Sequence, residues 1–260
     1  MVTENTQTLN DKAWIRWSAL FIVAFTMMAA YYVNDVMAPL KSMLEGQLSW
    51  TSGEFGMFTG AYSFLNVFLL MLIWGGLILD KFGIRFTGIL ATVLMVGGTA
   101  VEYIAITQYG GTSEMLWGYK LDVLMASAGY SVFGVGAEVA GITVTKIIAK
   151  WFKGKEIALA MGVQVALARI GSQAAYAIAI PVAKAYSLET PLFIGAAVLV
   201  GGFFAFLAFS LMDRKLDKQV RISTTCNAEE KFSFKDVLSV VRNPGFWLIA
   251  LLCVLFYSCV

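Results

Sequence analysis

Gly75-Gly76-Leu77-Ile78-Leu79-Asp80-Lys81-Phe82-Gly83-Ile84-Arg85 lies between two long apolar runs. Charges are scarce in this chain, yet Asp80, Lys81 and Arg85 crowd into this one stretch. The physical reading is a short charged turn between two membrane helices. Gly76 removes a side chain, so another helix can approach closely. Gly83 permits a tight reversal. Asp80 can face the positive N-terminus of a neighbouring helix, and Arg85 can pair with it.

The residues on either side fit a membrane chain. Of 260 residues, 59% are apolar and only 14% charged, against about 25% charged in a typical soluble domain. The mean hydropathy is +0.74. A helix needs about 20 apolar residues to cross a hydrocarbon core of roughly 30 Å. Six stretches qualify, at 14–38, 55–79, 84–108, 121–150, 156–184 and 191–212. The quoted turn joins the second to the third. The first run is too long for a signal-peptide core of about 7–15 residues and reads as an uncleaved span. A seventh run begins near Phe246 and reaches only Val260, so a fragment of a longer protein is expected.

Lys and Arg set the orientation. Fifteen fall at one side of the spans, and three (Lys41, Lys120, Lys184) at the other, leaving Arg169 inside a span. The N-terminus and the quoted turn are therefore expected on the cytoplasmic side. The domain reading is a cytoplasmic tail at 1–13, a six-helix bundle at 14–212, a cytoplasmic linker at 213–243 and the start of a seventh span at 244–260. Residues 232–241 of the linker look amphipathic.

Two charges sit deep in apolar spans. Glu138 lies thirteen residues before Trp151, and Arg169 thirteen after Glu156. At 1.5 Å per residue each is about 20 Å from the turn that joins their spans. Two antiparallel helices place them at similar depth, just past the midplane. Asn66 reaches a similar level, with Tyr62 one turn earlier on the same face. Arg169, Gln173 and Tyr176 form one polar stripe. Buried charges are costly in a bilayer and mark either a structural ion pair or a functional site. A Glu138–Arg169 salt bridge that only ties two helices is the bland reading; a substrate site at the midplane is the functional one. Asp35 lies near the outer end of the first span, with Tyr31 one turn before it. Both are carried as candidate contact residues, although an interfacial role suits them equally well. Glu102 reads as an outer-rim residue.

The turn resembles the signature of the major facilitator superfamily, in which a glycine precedes an Asp-Lys/Arg-X-Gly-X-Arg turn. Gly76, Asp80, Lys81, Gly83 and Arg85 match it, and Ile84 stands where a basic residue is usual. The resemblance implies a conformational gating motif, an all-α membrane protein and a second six-helix half beyond this chain.

A closer resemblance rests on Phe133-Gly134-Val135-Gly136-Ala137-Glu138, Trp151-Phe152-Lys153-Gly154-Lys155-Glu156 and Ala168-Arg169-Ile170-Gly171-Ser172. These look like the lysosomal dipeptide uniporter branch of the superfamily. Tyr62, Ser63 and Asn66, and Tyr31, Asp35, Ala38 and Leu40, are similar too. The resemblance implies that Glu138 and Arg169 recognise the two ends of a dipeptide. The chemistry agrees, since a carboxylate suits an ammonium and a guanidinium suits a carboxylate. Departures stand at Leu65 in place of a proline, at Asn34 and Met37, and at Tyr130, where much of the superfamily has an arginine linked to proton coupling.

The expected function is alternating-access transport of dipeptides or similar small zwitterions, facilitated or proton-coupled. An organic-anion or sugar carrier is the alternative within transport, and a non-transporting membrane scaffold the alternative outside it. The expected partners are a small solute, the lipid bilayer and the second half of the same transporter. Cys226, Cys253 and Cys259 lack metal-ligand spacing, and the chain has no histidine. No nucleophile–base pair, phosphate loop or nucleic-acid footprint is visible, so an enzyme, a cofactor and a nucleic-acid partner are not expected. With no acidic dileucine signal and no Asn-X-Ser/Thr acceptor, a bacterial cytoplasmic membrane is the expected location.

Overall fold

A computed structural model describes residues 9–112, 114–116, 118–223 and 242–258. Helices dominate: α1 (Ala13–Val36), α2 (Lys41–Gln47), α3 (Ser52–Phe68), α4 (Met71–Gln108), α5 (Leu121–Trp151), α6 (Ile157–Ala185), α7 (Thr190–Ser223) and α8 (Pro244–Ser258). A two-residue ribbon, Met115–Leu116 with Tyr119–Lys120, is the only sheet among the described residues. The chain divides into two units, residues 1–225 and 226–260. The first holds α1 to α7. The second holds α8, an apolar helix with Trp247, Leu248 and Ile249 exposed. The amphipathic segment expected at 232–241 lies outside the described residues.

Among the described residues five helices are long and apolar enough to cross a membrane by themselves, one fewer than the six expected spans. The difference lies in the second span. After α3 ends, Leu69 caps it and Leu70 turns left-handed, with φ 49° and ψ 44°. The expected 55–79 span thus comes in two pieces. Packing against α5 shows that they form one pass. Ser131 donates to the carbonyl of Ala61, Tyr62 reaches Glu138, Gly75 lies against Val139, and Lys146 pairs with Asp80. Contacts climb α5 as they climb α3 and the first part of α4. Beyond Gly83 the sense reverses: Ala91 and Met95 lie on Gly136, Gly98 on Phe133, and the backbone of Glu102 on Gly129. Gly83 makes the reversal with φ 78° and ψ 170°, a region that is essentially glycine-only. Six passes result from five long helices and one broken one.

α5 is held by glycine contacts on two sides. A side chain at Gly134 would meet the Tyr62 carbonyl at 2.7 Å, and one at Gly136 the Ala91 carbonyl at 2.7 Å. Small residues at such crossings let backbones approach where no hydrophobic drive between helices exists. α1 packs on α6 and α7 in the same way. A side chain at Gly171 would meet the Met28 carbonyl at 2.1 Å. Thr26 donates to the Gly202 carbonyl at 3.0 Å. α3 starts on a capping box, Thr51 with Glu54, in which each side chain accepts from the other's backbone N–H.

The basic end of the bundle corrects the pairing expected at Arg85. Arg85 does not pair with Asp80. It pairs with Asp217 at 2.9 Å and Asp213 at 3.5 Å, while Asp80 takes Lys146 at 2.7 Å. The reversal at Gly83 carries the two side chains to different helices, α5 for Asp80 and α7 for Arg85. Gly76 lies against no described neighbour; the close approach belongs to Gly75, where a side chain would meet Val139 at 2.9 Å. α7 runs to Ser223, well past the expected boundary at 212. Asp213 is fully buried because Lys150 (2.8 Å), the Trp151 indole N–H (3.1 Å) and Arg85 close around it. Lys81 of the turn lies 5.3 Å from the Phe82 ring centroid.

Candidate substrate site

Glu138 and Arg169 stand on α5 and α6, and among the described residues they do not form an ion pair. Each has an aromatic partner instead. Tyr62 of α3 donates its hydroxyl to Glu138 Oε1 at 3.0 Å. The Arg169 guanidinium lies over the Tyr31 ring of α1, 5.6 Å from its centroid. Tyr62 and Tyr31 are themselves within electrostatic range of each other.

Local sequence explains each placement. Gly134 precedes Glu138 by one turn and lets α3 settle onto α5, which brings Tyr62 within reach. Gly171 follows Arg169 by two residues and lets α1 settle onto α6, which brings Tyr31 under the guanidinium. A cation over an aromatic face is attracted by the ring quadrupole, by about 0.5–2 kcal/mol depending on hydration. Glu138 is half-buried and Arg169 exposed, so both charges stay open to a solute.

The remaining candidates fall around this core. Asn66, one turn beyond Tyr62, donates to the Tyr62 carbonyl at 3.0 Å, and its own side-chain oxygen is buried with no partner among the described residues. Gln173 is exposed on α6 one turn beyond Arg169, and Tyr176 is exposed on the same helix. Asp35 accepts from the Asn34 side chain at 2.8 Å.

Two features escaped the sequence reading. Tyr130, at the position where an arginine was expected, donates to the Asn34 carbonyl at 2.8 Å and stacks on Phe58 and Phe133. It joins α5 to α1 and orders the aromatic wall beside Tyr62. The Tyr62, Tyr130 and Phe133 spacing of apolar aromatics on facing spans was the available signal. Glu102, read as an outer-rim residue, is fully buried. The tight crossing at Gly98 and Gly129 draws its turn of α4 into the bundle.

The comparisons with known proteins agree with this architecture. The sequence profile described as Major Facilitator Superfamily matches residues 20–260. The lysosomal dipeptide transporter MFSD1 of Homo sapiens is 25% identical over 260 residues, covering 94% of this chain and 51% of that protein. The protein of that name in Danio rerio is 24% identical over 253 residues, covering 92% and 50%. That of Gallus gallus is 31% identical over 147 residues, covering 52% and 32%. The chain therefore spans about half the length of the curated relatives it resembles. With its six-pass helical bundle, its glycine reversal at Gly83 and a match over nearly its whole length, the chain belongs to the Major Facilitator Superfamily.

Proposed function

We propose that the whole protein carries dipeptides or similar small zwitterionic solutes across a membrane by alternating access. One observation carries this reading: two opposite charges on α5 and α6, each held by a tyrosine rather than by the other. A zwitterion offers an ammonium to Glu138 and a carboxylate to Arg169, so binding neutralises both. The guanidinium can take the carboxylate through two parallel hydrogen bonds. The names of the curated relatives point to the same solute class. Tyr62, Tyr31 and Asn66 line the path between the charges, and Gln173 and Asp35 extend it. The excess of basic residues at the turn of Gly83 supports a cytoplasmic N-terminus.

Uptake into liposomes that hold the whole protein tests the reading. Labelled dipeptide should accumulate, with unlabelled dipeptides competing and simple carboxylates not. Glu138→Gln and Arg169→Ala should each abolish uptake while the protein stays folded in the membrane. Strong competition by carboxylates, with Glu138→Gln still active, would assign the site to organic anions instead.

A further inference from the structure

Three carboxyl groups in the bundle are wholly removed from solvent: Asp122, Asp213 and Glu102. Two have hydrogen-bond or ion-pair partners. Asp122 accepts from the Trp50 indole at 2.9 Å and from the backbone N–H groups of Gly111 and Val123. Asp213 has Lys150, Arg85 and Trp151. Glu102 has nothing: neither of its oxygens has a hydrogen-bond partner among the described residues, and it forms no ion pair there.

An ionised carboxylate only accepts hydrogen bonds, and one buried with no donor in a bilayer is strongly disfavoured. Among the described residues, the groups around it offer no cation. On α5, Tyr130 lies within electrostatic range of Glu102, and also of Asp35 on α1 and Tyr176 on α6. The hydroxyl of Tyr130 is already given to Asn34. On α3, Tyr62 is given to Glu138. On α4 itself, Tyr103 packs its ring on Phe193. α7 carries no titratable residue from Pro191 to Ser210. Lys120, the cation at that end of α5, is taken by the carbonyls of Leu48 and Ser49 and by Glu54.

We propose that Glu102 is a proton-binding site, loaded in this conformation, and that transport is coupled to its proton. The site is not fully isolated. Tyr130 lies within electrostatic range of both Glu102 and Asp35, its hydroxyl is given to Asn34, and Asp35 is only half-buried. The coupling half of this inference rests on the transport reading above; the protonation half does not.

Difference infrared spectroscopy on the whole protein in lipid tests the protonation half, comparing the wild type with Glu102→Gln, a replacement of nearly the same shape. The wild type should show the carbonyl stretch of a protonated carboxylic acid at neutral pH, and Glu102→Gln should lose it. A wild type without that band, or a band that survives in Glu102→Gln, overturns the site. In liposomes, an inward proton gradient should stimulate uptake by the wild type several-fold. In Glu102→Gln that stimulation should disappear. Equal stimulation in both proteins, or none in the wild type, overturns the coupling. The infrared comparison needs no transport. A Glu102 band in a protein that fails to move dipeptides therefore counts against the substrate reading and leaves the proton site standing.

Discussion

Tyr62 donates its hydroxyl to Glu138 across 3.0 Å, from α3 to α5. A hydrogen bond to a charged group contributes about 1.5–3 kcal/mol. Tyr62→Phe should therefore keep the fold, since the ring still packs near Tyr130 and Phe133. Glu138 would lose the donor that aims it. The half-saturating dipeptide concentration should rise about ten-fold, which corresponds to about 1.4 kcal/mol. Uptake titrations in liposomes measure this, and an unchanged value would remove Tyr62 from the site.

Asp213 and Asp217 are neighbours on one helix with different surroundings. Asp213 is fully buried, and the Asp217 side chain is 31% exposed. Breaking a buried ion pair by removing one partner costs about 3–5 kcal/mol, whereas exposed pairs contribute about 0–1 kcal/mol. Asp213→Asn should therefore lower the unfolding midpoint in detergent far more than Asp217→Asn. Equal shifts would show that Lys150 and Arg85 depend on both acids alike.

Gly83 holds φ 78° and ψ 170° at the reversal inside α4. Any other residue is strained there by about 1–3 kcal/mol. Gly83→Ala should reduce thermal stability by that order, even though no described atom lies within 4 Å of the added methyl group. Thermal unfolding of the purified protein checks it. A neutral result would mean that the turn has a second accessible geometry.

Gly171 faces the Met28 carbonyl so closely that a methyl group would sit 2.1 Å from it. Backbone cannot yield as a side chain can, and overpacking costs about 1–3 kcal/mol. Gly171→Ala should push α1 from α6, part Tyr31 from Arg169 and weaken dipeptide binding along with stability. Isothermal titration with a dipeptide, set beside thermal unfolding, reads both effects.

Much of this was legible in the residues. Apolar run lengths located the six passes, and Gly83 with its charged neighbours marked the reversal. Depth arithmetic along α5 and α6 singled out Glu138 and Arg169, and the structure gives each a tyrosine partner. The break at Leu69 and Leu70 was not legible, because neither proline nor glycine stands nearby and the local sequence is uniformly apolar. Partner choice was also hidden. Arg85 and Asp80 are close in sequence, but which helix each meets depends on the hand of the turn between them. Burial of Glu102 depends on a glycine crossing with α5, a feature of two distant segments rather than of its own neighbourhood.

The glycine contacts divide the labour between the two charges. Glu138 rides on α5, clasped by α3 and α4, and Arg169 rides on α6, clasped by α1. Among the described residues no bond fixes the gap between them, so that gap works as a caliper whose opening is set by helix packing. Which solutes fit then becomes a mechanical question. Volume changes at Gly134 or Gly171 should retune preference between shorter and longer zwitterions without altering either charged group.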